Sequence, residues 1–258
     1  MSAELFSIEG KAALVTGGSR GIGRMIAGGF VRAGARVYIS SRNAAACDEV
    51  TAELSTEGTC ASLPADLSSR EGCEALVAAL GDREERLHIL INNAGATWGA
   101  PLEEYPDEGF DKVMTLNVKS VFNLTRLLLP SLRAAATPQD PARVVVIGSI
   151  DGIRVPDWDN FGYSASKAAV AMLGRHLAQR LAREHITVNT IAPGLFPSKM
   201  TKFMFESGAA DQMVGVIPLG RAGTPEDIAG TAIFLCSRAG AYLTGAVIPV
   251  DGGISTHG

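Results

Sequence analysis

The chain has 258 residues, 47% of them hydrophobic and 19% charged, with a formal net charge of −4. This is ample apolar material for a core, and no run of Lys or Arg could follow a phosphate backbone, which argues against nucleic-acid binding. No stretch reaches the ~18 apolar residues a membrane span needs, no basic-then-apolar leader opens the chain, and Cys47, Cys60, Cys73 and Cys236 lack metal-ligand spacing, so no metal, free thiols and a cytoplasmic location are expected.

Ala12–Thr16 is a short apolar run that stops at glycines, as a buried strand does. The loop Gly17-Gly18-Ser19-Arg20-Gly21-Ile22-Gly23 and a helical segment to about Ala33 follow it. Strand, glycine loop and helix together bring backbone N–H groups and a helix N-terminus against a pyrophosphate. A second strand, Arg36–Ser40, ends in Ser41-Arg42. A site for NAD wants an Asp or Glu about 20 residues past the glycines, to hold the ribose 2′-hydroxyl. None occurs between Arg36 and Cys47, and Arg20 and Arg42 bracket the place instead. Arginine's planar fork suits a 2′-phosphate, so the expected cofactor is NADP(H).

A helix over 44–57, a strand over 59–63 ending at Asp66-Leu67, and a helix over 70–80 come next. The strand Leu87–Ile91, in which His88 reads as structural, runs into Asn92-Asn93-Ala94-Gly95. Helical spacing of Leu and Val predicts one long helix over 110–136, with Asn117 inside it as a cap, a kink or part of a polar network. The fifth strand, Val144–Ile147, leads to Ser149. A helix over 163–185 and a strand over 187–192 ending in Pro193-Gly194 follow. The segment 195–216 reads as irregular and apolar, with Phe196, Met200, Phe203, Met204, Phe205 and Met213. A capped helix starts at Thr224-Pro225, and a seventh strand covers 246–250. This alternation predicts one doubly wound α/β domain over 1–258, with a seven-stranded, mainly parallel sheet and helices on both faces. Ligands of such sheets sit beyond the carboxyl ends of the strands, where the singled-out groups fall.

The chemistry concentrates between Ser149 and Lys167. Tyr163 and Lys167 are four apart, hence on one helix face. A nearby ammonium favours the phenolate, so the pair predicts a tyrosine with a lowered pKa that acts as a general acid. Alone, a Tyr-x-x-x-Lys pair is an ordinary amphipathic helix feature. The glycine loop, Asn93-Ala94-Gly95, Ser149 and Pro193-Gly194 on the same sheet edge make the difference.

With those motifs, and with Asp66, Asn117 and the terminal Asp251-Gly252-Gly253, nearly the whole chain resembles the short-chain dehydrogenase/reductase family. The resemblance implies a Rossmann fold and hydride transfer between a nicotinamide and a carbonyl or alcohol carbon. It makes Tyr163 the acid/base, with Lys167 supporting it and hydrogen-bonding the nicotinamide ribose. Ser149 would hold the substrate oxygen, and Asn117 would anchor a water in a proton relay. Cofactor contacts carried over are Gly17, Ser19, Arg20, Gly21, Ile22, Gly23, Ser41, Arg42, Asp66 at the adenine, Leu67, Asn93, Ala94, Gly95, Tyr163, Lys167, Pro193, Gly194 and Ser198. Within the family the chain is most similar to 3-oxoacyl-(acyl carrier protein) reductases and their rhamnolipid-type relatives. The apolar 195–216 segment would then be a substrate lid, pliable enough for an acyl chain.

Two departures stand out. Ser149 precedes Tyr163 by fourteen residues, one more than the family's habit, and Glu184 and His185 stand where a carrier-docking base is expected. The intervening loop also adds Arg154 and three acids, Asp151, Asp157 and Asp159, read as a solvated rim. The resemblance further implies a small-molecule carbonyl substrate, such as a carrier-protein or coenzyme A thioester, and a homotetramer or homodimer built on the 110–136 and 163–185 helices. The alternatives are a non-catalytic NADP-binding sensor or scaffold, which would not need a complete proton relay, and a reductase of a sugar, polyol or steroid-like ketone. A nucleotide-sugar epimerase is disfavoured because little chain follows the seventh strand.

Overall fold

The computed structural model describes residues 2–198, 201 and 209–256. The apolar runs become seven strands: β1 (Ala12–Thr16), β2 (Arg36–Ser40), β3 (Cys60–Ser62), β4 (Ile89–Asn92), β5 (Ala142–Ile147), β6 (Ile186–Pro193) and β7 (Val247–Val250). They pair in parallel throughout, in the order β3-β2-β1-β4-β5-β6-β7. Strand order reverses between β1 and β4, and a crevice opens there beyond the strand ends.

Period-two alternation sorts the strand side chains between two helical layers. Ala13, Val15, Ile89, Ile91, Val145 and Ile147 face one core, shared with Phe30 of helix α2 (Gly21–Arg32) and with Ile228 and Leu235 of helix Pro225–Cys236. Leu14, Leu90 and Val144 face the other, where Leu76 of helix α4 (Arg70–Gly81) and Leu124 of helix α6 (Ser120–Leu127) pack. Helices on both faces, with a fully parallel sheet between, are the doubly wound arrangement. Helix α1 (Ser2–Leu5) and helix α3 (Ala44–Leu54) complete the first half.

The single helix expected over 110–136 is three pieces. Helix α5 (Asp107–Met114) passes through a π-turn, Thr115–Lys119, into α6, and α7 (Leu129–Ala135) follows a break at Leu128. Asn117 sits in the π-turn, buried and fully engaged: Oδ1 accepts from the Ala96 N–H (2.8 Å), and Nδ2 donates to Ala96 O (2.9 Å) and to Ser166 Oγ (2.9 Å). The extra residue of the wider turn rotates that amide into the core. A second difference is in the expected lid, which carries a helix over Ala209–Val216. Leu195 and Ile217 are buried together, with Met213 packed on them. Met200, Phe203, Met204 and Phe205 lie outside the described residues. His88 is structural, since its Nδ1 accepts the Ala12 N–H (3.1 Å).

Candidate active site

At the carboxyl edge of the sheet the glycine loop turns from β1 into α2. Gly17 has φ +66°, and a Cβ there would lie 2.6 Å from Asn93 Nδ2. Asn93 reaches over because Nδ2 donates to Thr16 O (2.8 Å), while the Asn93 and Ala94 N–H groups donate to Thr16 Oγ1 (2.9 and 3.0 Å). Thr16, which the sequence marks only as the end of the first strand, is thus the post that holds β1 and β4 together at the switch point. Gly23 lies beneath the loop against Gly17 O and the same Asn93 amide, and does not line the cleft.

The cleft above has a volume of about 680 Å³. Of the expected residues, Gly17, Ser19, Arg20, Gly21, Ile22, Ser41, Arg42, Leu67, Asn93, Ala94, Gly95, Ser149, Tyr163, Lys167, Pro193, Gly194 and Ser198 all line it. Asp66 does not: its Oδ1 turns back to accept from the Ser68 N–H (3.0 Å) and Oγ (2.8 Å), an Asx turn that holds its carboxyl below the usual range. Asn117 stands behind the cleft wall. The reading from sequence missed Lys112, whose Nζ lies 5.1 Å from the Trp98 ring centroid, and Ser40, which lines the cleft with a buried Oγ that has no hydrogen-bond partner. The lining residues described include Arg20, Arg42, Lys112 and Lys167 but no Asp or Glu. A glycine cradle and four cations fit a phosphate-bearing dinucleotide.

Ser149 sits just past β5 and Tyr163 and Lys167 on the first turns of helix α8 (Phe161–Leu181). Lys167 Nζ donates to Ile147 O (2.8 Å) and lies 5.4 Å from the Tyr163 ring centroid. Burial pulls this lysine down to about 8. Burial also pushes Tyr163 up to about 12, and the hydrogen bond it shares with Ser149 pulls it back. The expected lowering of the phenol by its lysine is therefore reversed here. The ammonium is turned to a main-chain carbonyl, and loss of water dominates at the phenol. Tyr163 is anchored from below, because its carbonyl accepts from Ser166 Oγ (2.7 Å), the same hydroxyl that Asn117 grips.

Ser149, Tyr163 and Lys167 thus converge at one end of the cleft. The chain belongs to the short-chain dehydrogenase/reductase family: residues 17–255 match the family model described as enoyl-(acyl carrier protein) reductase. The rhamnolipids biosynthesis 3-oxoacyl-(acyl-carrier-protein) reductase of Pseudomonas aeruginosa is 53% identical over 249 residues, covering 96% of this chain and 97% of that protein. The solved Pseudomonas aeruginosa RhlG/NADP active-site complex superposes with a TM-score of 0.95 at 52% identity, over 98% of this chain and 99% of that one. Gluconate 5-dehydrogenase of Gluconobacter oxydans is 35% identical, over 98% of this chain and 97% of its own length.

Proposed function

We propose that the protein uses NADPH to reduce the ketone of a 3-oxoacyl thioester, carried on an acyl carrier protein or coenzyme A. The observation that carries the cofactor choice is the cleft lining of Arg20, Arg42, Lys112 and Lys167 without an acid among the described residues. A reader of the ribose 2′-hydroxyl would be an Asp or Glu at the end of β2. Ser41 and Arg42 stand there, and they suit a phosphate. Bound NADPH supplies the hydride.

The chain's own groups manage the oxygen. Ser149 Oγ donates a hydrogen bond to the substrate carbonyl. Tyr163 gives its phenolic proton to that oxygen as charge develops, and the Lys167 ammonium stabilises the phenolate left behind. Reduction needs the phenol protonated and the lysine charged. With the tyrosine near 12 and the lysine near 8, both conditions hold below about pH 8. Asn117 keeps loop and helix in register through Ala96 and Ser166.

The acyl substrate is supported by the name of the 53% identical relative and by an apolar rim in which Ile153, Val155 and Trp158 are exposed. The 35% identical gluconate dehydrogenase favours a sugar or polyol ketone as the second reading. Exposed Phe110, Phe122 and Met172 on α5, α6 and α8 support assembly into a dimer or tetramer. The free thiols of Cys47, Cys60, Cys73 and Cys236 support a cytoplasmic location.

The test is NADPH absorbance with a 3-oxoacyl thioester, with NADH in parallel. Fast oxidation of NADPH alone is expected, and Tyr163→Phe should cut turnover by about a thousandfold while leaving NADPH affinity nearly unchanged. Unaltered turnover in that variant would overturn Tyr163 as the acid, and tight cofactor binding without thioester turnover would favour the sensor reading.

A further inference from the structure

The loop between Ser149 and Tyr163 carries an acid that the proton-transfer scheme does not use. Asp151 lies in the 3-10 turn Ile150–Gly152 that follows the catalytic serine. Its N–H donates to Ser149 Oγ (3.1 Å). Its Oδ2 accepts from Asn160 Nδ2 (3.3 Å), and Asn160 Oδ1 accepts from Ser164 Oγ (3.1 Å) on the first turn of α8. One carboxylate therefore closes the loop on itself and ties it to the helix that carries Tyr163.

The turn is pressed onto that helix. A Cβ at Gly152 would lie 2.6 Å from the carbonyl carbon of Lys167 and 2.8 Å from Ala168 N, so the turn approaches to main-chain contact. From the other side Ile150 packs with Leu195, Ile217 and Ile254. This half-buried acid is fixed rather than part of a solvated rim, in contrast to the exposed Asp157 and Asp159.

We propose that Asp151, held by Asn160 against the Lys167 turn, is a positioning residue that sets the protonation of the Tyr163–Lys167 pair and so the pH range of turnover. The inference rests on Tyr163 being the acid. A fixed negative charge opposes the phenolate and favours the ammonium, and Asp151 acts upward on both groups. The groups facing it are Lys167 and Tyr163 from α8, uncharged Asn160 from the helix start, and Arg154 from its own loop. Arg154 in turn faces Asp251 at the end of β7. Burial pushes the Asp151 carboxyl up, while Asn160, Arg154 and Lys167 pull it back.

Asp151→Asn keeps an acceptor for Asn160 and removes only the charge. The alkaline limb of kcat/KM for NADPH-dependent reduction should move down by about half a unit or more. The NADPH Kd and Tm should be near wild type, and Asp157→Asn should leave the limb in place. If Asp151→Asn fails to fold, Asp151→Ser, which also retains an acceptor, is measured the same way. A limb coincident with wild type in a folded variant, with Tyr163→Phe inactive, would overturn this inference alone. Turnover surviving in Tyr163→Phe would overturn the reading beneath it as well.

Discussion

Arg42 and Asp66 show how differently two side chains at neighbouring strand ends behave. Arg42 lines the cleft, and no ion-pair partner holds it there among the described residues. Asp66 is captured by Ser68. A charge-assisted pair between Arg42 and a 2′-phosphate is worth about 1.5–3 kcal/mol. Arg42→Ala should therefore raise the KM for NADPH about tenfold or more and leave that for NADH within about twofold, read from initial rates with each cofactor. An equal loss with both would show that Arg42 does not read the phosphate. The glycine loop, Arg42, Ser149 and Tyr163 were legible because glycines and strand ends mark where backbone meets ligand. A motif position fixes where a Cα lies but not where its side chain turns, so the Asx turn at Asp66 escaped the reading. Ser40 escaped because a serine closing an apolar strand looks like any other strand end.

At the scale of elements, the π-turn at Thr115–Lys119 does what a continuous helix could not. It turns one polar side chain inward, to bond at once the loop after β4 and the first turns of α8. Removing that amide leaves the Ala96 N–H and C=O without these partners. Asn117→Ala should lower stability by about 2–4 kcal/mol in urea titration, with kcat falling more than the NADPH affinity. A variant with wild-type stability and reduced kcat would instead assign Asn117 a part in proton transfer. Apolar periodicity hid the turn, because one inserted residue shifts the pattern by only about 100°, within the breadth of a buried stripe. Only the buried Asn117 signalled it. The helix Ala209–Val216 was missed for a different reason, since Gly215 and two valines are weak helix formers and the cluster it packs on draws Ile150, Leu195 and Ile254 from distant parts of the chain.

At the scale of the whole molecule, the parallel topology was legible because each strand is separated from the next by a helix-length segment, and short right-handed crossovers leave few alternatives. Assembly is less legible, because an exposed apolar helix face reads the same whether it meets another copy or solvent. Sedimentation velocity should show a dimer or tetramer, and Phe122→Asp with Met172→Asp should shift it toward monomer. A wild-type protein that sediments only as monomer would remove α6 and α8 as an interface. The switch point has one more consequence, and it concerns synthesis. Asn93 closes the cradle on Thr16 across a separation of 77 residues. A chain leaving the ribosome therefore displays its glycine loop and both arginines well before Asn93, Ser149 and Tyr163 exist to complete the cleft. Cofactor capture should therefore come late and reward only the finished sheet.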